Sequence, residues 1–227
     1  MRKLVLMSLM LGFVNLSKAQ EHVFFTGFFP EFAATKSLKN GQKLNFKVEN
    51  QEIFFRNLDE ESERWQFRHY RTDLMSFYSW SLSPVSSVAG GIFYRFQDGA
   101  NAFRVVQQFA FLDRNRTFRI AHRFRTDQTF TDGEATEFRF RYRLAVDIPL
   151  QGEDLDPGEY YLVLSNEPIF SFQGGEFDIE NRLATTIGKL ISKKQKLEYS
   201  VDYRTDGYFQ DGFRTRLWAK IGYFLNF

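Results

Sequence analysis

The sequence predicts an all-β protein: an antiparallel up-and-down transmembrane β-barrel of about twelve strands, with ten as the alternative, after a cleaved signal peptide. Three observations carry that reading. Apolar residues recur with a period of two along most of the chain, the pattern of strands with unlike faces. Aromatic residues make up 18% of the chain, with 28 Phe and 10 Tyr, yet the mean hydropathy is only −0.39, as expected where an apolar face alternates with a charged one. The final segment alternates apolar and polar residues and ends on an aromatic, Phe227.

The N-terminal segment is set apart first. Met1-Arg2-Lys3 is a positive region, Leu4 to Leu16 an apolar stretch broken by Ser8 and Asn15, and Ser17-Lys18-Ala19 before Gln20 fits a small-x-small cleavage site. That order predicts a secretory signal peptide over 1–19 and a barrel domain over 20–227, with an N-terminal core helix as the alternative. No cysteine follows the apolar stretch, which argues against a lipid-anchored lipoprotein, and no disulfide is available to an exported fold. Arg2, Lys3 and Lys18 leave with the leader, so 30 basic residues become 27 against 28 acidic ones, net −1. The basic balance of the full chain therefore gives no support to a nucleic-acid partner. After the leader no run of 18 apolar residues remains to form a membrane helix.

Turn dipeptides divide the remainder: Asn40-Gly41, Asp98-Gly99, Asp132-Gly133, Gly174-Gly175 and Asp211-Gly212, with Ser83-Pro84 and Asp156-Pro157-Gly158 as two more. Between them lie Val23–Ala34, rich in Phe, and Lys43–Phe54, in which Leu44, Phe46 and Val48 oppose Lys43, Asn45, Lys47 and Glu49. Arg64–Leu82 changes phase near Arg71 to Asp73, which predicts a bulge or two strands joined by a tight bend. Ser87–Gln97, Ala102–Leu112, Arg116–Phe130, Thr136–Asp147, Glu159–Phe172, Glu176–Gly188, Lys196–Thr205 and Gly212–Phe227 follow. These are eleven segments. Bacterial single-chain barrels have even strand numbers, so twelve is expected, with Arg64–Leu82 as a merged pair.

The same alternation serves a soluble lipocalin-like barrel with its apolar face inside, and a membrane barrel with that face outside. Three features favour the second. Phe213, Leu217, Ala219, Ile221, Tyr223, Leu225 and Phe227 share one face of the last strand, against Arg214, Arg216 and Lys220. This resembles the C-terminal signal strand through which outer-membrane barrels engage their assembly machinery, with Tyr223, Leu225 and Phe227 as its signal; an ordinary amphipathic strand is the alternative. More than eight strands would leave a soluble barrel too wide to fill. Tyr94, Phe96, Tyr160, Phe170, Phe172, Tyr203, Tyr223 and Phe227 fall near strand ends, as interfacial girdles do.

Several stretches carry a family resemblance. They are Arg104-Val105-Val106-Gln107-Gln108, then His122-Arg123-Phe124-Arg125-Thr126-Asp127, then Phe138-Arg139-Phe140-Arg141-Tyr142-Arg143-Leu144, then Asn166-Glu167-Pro168-Ile169-Phe170, and finally Glu180-Asn181-Arg182-Leu183. Together and in this order they resemble the outer-membrane barrel family called domain of unknown function 2490, with Asp127 standing where that family has Glu. The resemblance implies an outer-membrane barrel of a Gram-negative bacterium and supplies no activity.

With Phe and Tyr toward lipid, strand parity turns Arg104, Arg119, Arg123, Arg125, Asp127, Arg139, Arg141, Arg143, Glu167, Asp178, Glu180, Arg182, Glu198, Asp202, Arg214 and Arg216 into the lumen. There they form either a plug of paired charges or an Arg-lined porin-like pore or small-anion site, with arginines on one wall and acids on the other. The partners expected are membrane lipid, the assembly machinery, and a small solute or ion in the lumen. Chemistry has little footing. No catalytic set, cofactor fingerprint, phosphate loop or zinc spacing occurs. Glu60 and Glu61 sit in a charged turn from Asp59 to Arg64. Of the three histidines, His22 adjoins the cleavage site, His69 lies in the phase-changing segment, and His122 falls on the Phe face with Phe118 and Phe124. A lipid-modifying hydrolase would need a Ser within hydrogen-bond reach of His122 and an acid behind it.

Overall fold

A computed structural model describes residues 21–58, 63–115, 117–210 and 212–227. Residues 1–20, 59–62, 116 and 211, among them the expected signal peptide 1–19 and the Glu60-Glu61 turn, lie outside the described residues. Eleven strands run in chain order: β1 Glu21–Ser37, β2 Gln42–Arg56, β3 Trp65–Ser83, β4 Ser86–Gln97, β5 Ala102–Arg114, β6 Arg119–Thr131, β7 Glu137–Pro149, β8 Tyr160–Gln173, β9 Glu176–Ser192, β10 Gln195–Asp206 and β11 Gly212–Asn226. Each coincides with one alternating segment of the sequence. Consecutive strands pair antiparallel, and β1 closes the barrel against β11.

The count is therefore eleven, neither the expected twelve nor ten. Arg64–Leu82 is one strand. Its phase change is a bulge: Gln51 faces Arg71 while Glu52 faces His69, so Tyr70 is the extra residue. An odd count forces β1 and β11 to run parallel, with Glu21 opposite Gly212 and Thr35 opposite Asn226. It also leaves the start of β1 and the end of β11 at opposite mouths. The turns at Gly99, Gly133 and Gly174 share the mouth where β1 starts; Asn40-Gly41 lies at the other. At that turn both residues are left-handed (φ 58° and 71°), the conformation Asn-Gly adopts at little steric cost.

Alternation sorts the side chains. Every strand carries at least one large hydrophobic residue on the exposed outer surface, among them Phe28, Phe46, Leu74, Ile92, Phe109, Phe130, Phe140, Phe172, Ile187, Val201 and Leu217. The buried interior holds Glu31, Arg71, Asp73, Arg104, Asp127, Arg141, Glu167, Asp202, Arg204, Asp206 and Arg216. The barrel is thus apolar outside and charged inside.

The interior is not uniformly polar. Phe25, Phe29, Ile53 and the fully buried Trp218 cluster inside, with Tyr70 packed on them, and Met75, Phe77, Phe93 and Val106 form a second cluster. The assignment of Phe to lipid fails at these positions. β1 carries adjacent pairs, Phe24-Phe25 and Phe28-Phe29, so it supplies both faces, and Trp218 shares the parity of Arg216 and Lys220. Gly27 makes room for this cluster at a register shift of β1 on β2. A Cβ there would overlap the Glu52 carbonyl oxygen and come within 2.8 Å of Trp218 Cζ3. Gly27→Ala should lower stability by ~1–3 kcal/mol. Gly90→Ala, where a Cβ would meet nothing within 4 Å, should be near neutral. Urea midpoints of the two folded variants check this.

Candidate functional site

The lumen charges assemble around a few carboxylates. Asp127, 0% exposed, sits on β6 with Arg139 opposite it on β7 and Val106 opposite it on β5. Arg139 Nε donates to Asp127 Oδ1 at 2.6 Å, Arg104 Nε lies 3.3 Å from the same oxygen, and Arg141 Nη1 lies 3.7 Å from Oδ2. Arg104 also donates to Thr129 Oγ1 at 2.8 Å and stacks over the Phe93 ring. One strand further on, Glu167 Oε1 accepts from Arg123 Nη2 at 2.9 Å and from Arg141 Nη2 at 3.1 Å. Arg141 therefore bridges the two acids. Charge-assisted bonds of this kind hold side chains in register across strands.

A second group spans β9 to β11. Arg182 clasps Glu180 through Nε and Nη2, at 2.8 and 3.1 Å. Arg216 Nη2 donates to Glu180 at 3.0 Å and to Asp206 at 2.7 Å. Arg204 holds Asp202 in a two-bond fork, and Arg214 Nε lies 3.4 Å from Asp206. Glu198 stands apart and accepts the Tyr161 hydroxyl at 2.6 Å. Arg119 meets Asp147 at 3.6 Å near a mouth, half exposed. Arg125 and Arg143 meet neutral groups, Gln108 and Ser165. Arginines gather on the inner face of β5 to β7, whereas on β9 to β11 arginines and acids are paired.

Other charges inside are legible only with the register in hand. Glu31 on β1 is paired with both Lys47 and Lys220, and Lys47 also reaches Glu49 at 2.6 Å. Asp73 takes a fork from Arg95 at 2.8 and 3.0 Å, with Arg71 at 3.7 Å. Lys47, Glu49 and Lys220 already lay on the charged side of their strands. Arg71 and Asp73 were hidden by the bulge. At the mouth where β1 starts, Asp178, Glu180, Asp206, Arg139 and Arg214 line a polar cavity of about 260 Å³.

His122 Nδ1 lies 2.9 Å from the Tyr142 hydroxyl, and its ring stacks on Phe111 at 4.3 Å between centroids. It meets a phenol where the hydrolase reading needs a serine. His22 meets Thr215 and His69 meets Thr72. Among the described residues no group of His, Cys, Asp or Glu is arranged to hold a metal ion. Tyr223 stacks on Phe32, Leu225 pairs with Ala34, and Phe227 closes the seam: its N–H donates to Thr35 O at 2.9 Å and its carbonyl accepts from Ser37 N at 2.8 Å.

A family model described as "Protein of unknown function (DUF2490)" matches residues 26–225. No curated protein and no solved structure matches the chain. Of the stretches that carried the resemblance, four meet in the lumen: Arg104, Arg123, Asp127, Arg139, Arg141 and Glu167 form one ion-pair cluster, with the Gln108–Arg125 pair beside it, while Glu180 and Arg182 belong to the β9–β11 group.

Proposed function

The chain belongs to the DUF2490 family of proteins of unknown function, and from its geometry we propose that it is a non-enzymatic outer-membrane β-barrel with a charge-plugged lumen. On this reading residues 1–19 direct export and the C-terminal strand engages the assembly machinery. The barrel then stands in a Gram-negative outer membrane as a structural element or a narrow ion path. The observation that carries the reading is the inverted surface. Soluble monomers rarely leave more than a few hundred Å² of contiguous apolar surface in water, whereas here every strand adds an exposed aromatic or aliphatic residue. Strands of 12 to 19 residues exceed the ~9–11 that a tilted strand needs to cross hydrocarbon. Tyr78–Trp80 and Tyr94–Phe96 are close aromatic pairs on the outer surface, toward opposite mouths.

The plug follows from the ion pairs. Asp127, Glu167 and Glu180 each bind arginines from two strands, and Asp206 on β10 binds Arg214 and Arg216 of β11, so side chains cross-link the wall from inside. Fractionation tests the proposal. The protein should pellet with outer membranes, and its detergent-solubilised form should run faster unboiled than boiled. In planar bilayers it should pass far less current than a wide porin. A soluble protein with no shift on boiling would sink this reading and make the barrel a periplasmic binding protein.

A further inference from the structure

Positive charge is in excess on one part of the wall. On β9 to β11 every lumen arginine named above meets a carboxylate. On β5 to β7, Arg104, Arg123, Arg125, Arg139, Arg141 and Arg143 share only Asp127, Glu167 and, at 3.7 Å from Arg139, Glu137. The excess collects at mid-strand. The β6–β7 register sets Arg123 directly opposite Arg143, and Arg125 directly opposite Arg141. Four guanidiniums thus occupy a two-by-two block, and like charges directly opposed repel.

Two of the four have no anionic partner. Among the described residues no carboxylate oxygen lies within 4.0 Å of Arg125 or Arg143. Arg125 gives Nε and Nη2 to Gln108 Oε1, at 3.2 and 2.6 Å, and lies over the Phe77 ring. Arg143 reaches only Ser165 Oγ, at 3.4 Å. The Nε of Arg123 is buried without a hydrogen-bond partner. Arginine stays protonated, so this excess cannot be removed by neutralising the side chains. A partly desolvated cation cluster is stable only with compensating negative charge. Among the described residues the protein supplies Glu167 to Arg123 and Arg141 but no carboxylate to Arg125 or Arg143, while the Arg123 side chain remains 25% exposed and so within reach of solutes in the lumen.

We propose that this block is a binding site for a small divalent oxyanion of the phosphate class, held by Arg125 and Arg143 with Arg123 between them. Planar guanidinium forks match two oxygens of such an anion at once, which a spherical chloride cannot exploit. Two negative charges also answer an excess of more than one cation. The site lies inside the barrel wall, so it stands or falls independently of where the barrel resides.

Isothermal titration of the detergent-folded full barrel with inorganic phosphate, in chloride buffer, tests the site. Saturable binding of one phosphate per barrel is expected. It should weaken about tenfold or more in Arg125→Gln/Arg143→Gln, and stay unchanged in Arg119→Gln, whose side chain sits near a mouth against Asp147. If the double variant loses its heat-modifiable band, Arg143→Gln alone carries the comparison, because its one protein contact is long. Phosphate should also raise the unfolding temperature of the wild-type barrel and not that of the variant. Absence of phosphate binding by the wild-type barrel, or equal binding by Arg143→Gln, overturns the site.

Discussion

Asp127→Asn should destabilise the barrel by ~3–5 kcal/mol, the range found when one partner of a buried ion pair is removed and the others stay behind. Asp127 is the most heavily shared acid on the arginine-rich wall. Its loss leaves Arg104 without a carboxylate, Arg139 with only Glu137 at 3.7 Å, and Arg141 with Glu167, which Arg123 already uses. The amide also presents N–H groups to guanidinium N–H groups, so the steric match does not rescue the electrostatics. A like-for-like control is available in Asp147→Asn, which breaks the pair with Arg119 near a mouth; exposed pairs are worth ~0–1 kcal/mol. Urea unfolding followed by tryptophan fluorescence measures both, since Trp218 lies buried inside the barrel. In Asp127→Asn/Arg139→Gln part of the loss should return, because one of the stranded cations is gone. A loss below ~1 kcal/mol for Asp127→Asn would mean that lumen water screens these charges about as well as bulk water does. In that case the wall is not a plug.

How much of this was legible in the sequence depended on whether a feature is local. All eleven strands were, because a period of two and turn pairs such as Asn40-Gly41 and Gly174-Gly175 are written in adjacent residues. The bulge was visible as a phase change near Arg71, though not which residue is extra; that is Tyr70, and it packs on Phe25 and Trp218. Strand number was misjudged only where a rule about other barrels overrode the segments themselves. The parallel closure of β1 on β11 joins residues 191 positions apart, such as Glu21 and Gly212, and no local pattern records it. Parity assigned Arg123, Arg125, Arg139, Arg141, Arg143 and Glu167 to one side of their strands, but partner choice is a matter of register. That Arg123 and Arg141 meet at Glu167, while Arg143 meets a serine, follows from how β6, β7 and β8 slide past one another. The inward aromatics escaped for another reason: where both faces of β1 carry Phe, hydrophobicity no longer tells lumen from outer surface.

Val201→Arg should separate a membrane barrel from a water-soluble one by the sign and size of a single change. Val201 lies at the middle of β10, 56% exposed on the outer surface. Tyr199 and Tyr203 flank it on the same face, and Ala219 and Thr185 stand opposite on the neighbouring strands. In hydrocarbon an arginine at mid-strand costs ~2–4 kcal/mol, falling toward ~0–1 near the headgroups. In water an exposed valine replaced by arginine changes stability by about 0.5 kcal/mol or less, and usually improves solubility. Moving the same arginine toward the strand end, as Tyr203→Arg, should recover most of the loss in a bilayer and make no difference in water. Unfolding of the two variants from lipid vesicles, beside wild type, gives the depth profile directly. A flat profile would mean that the outer face never meets hydrocarbon, and the aromatic surface would then need a protein partner to cover it. A profile peaked at Val201 would tie the apolar exterior to lipid while leaving the lumen charges as the source of internal order: each face of the same strands would then be stabilised by a different solvent, hydrocarbon outside and paired ions within.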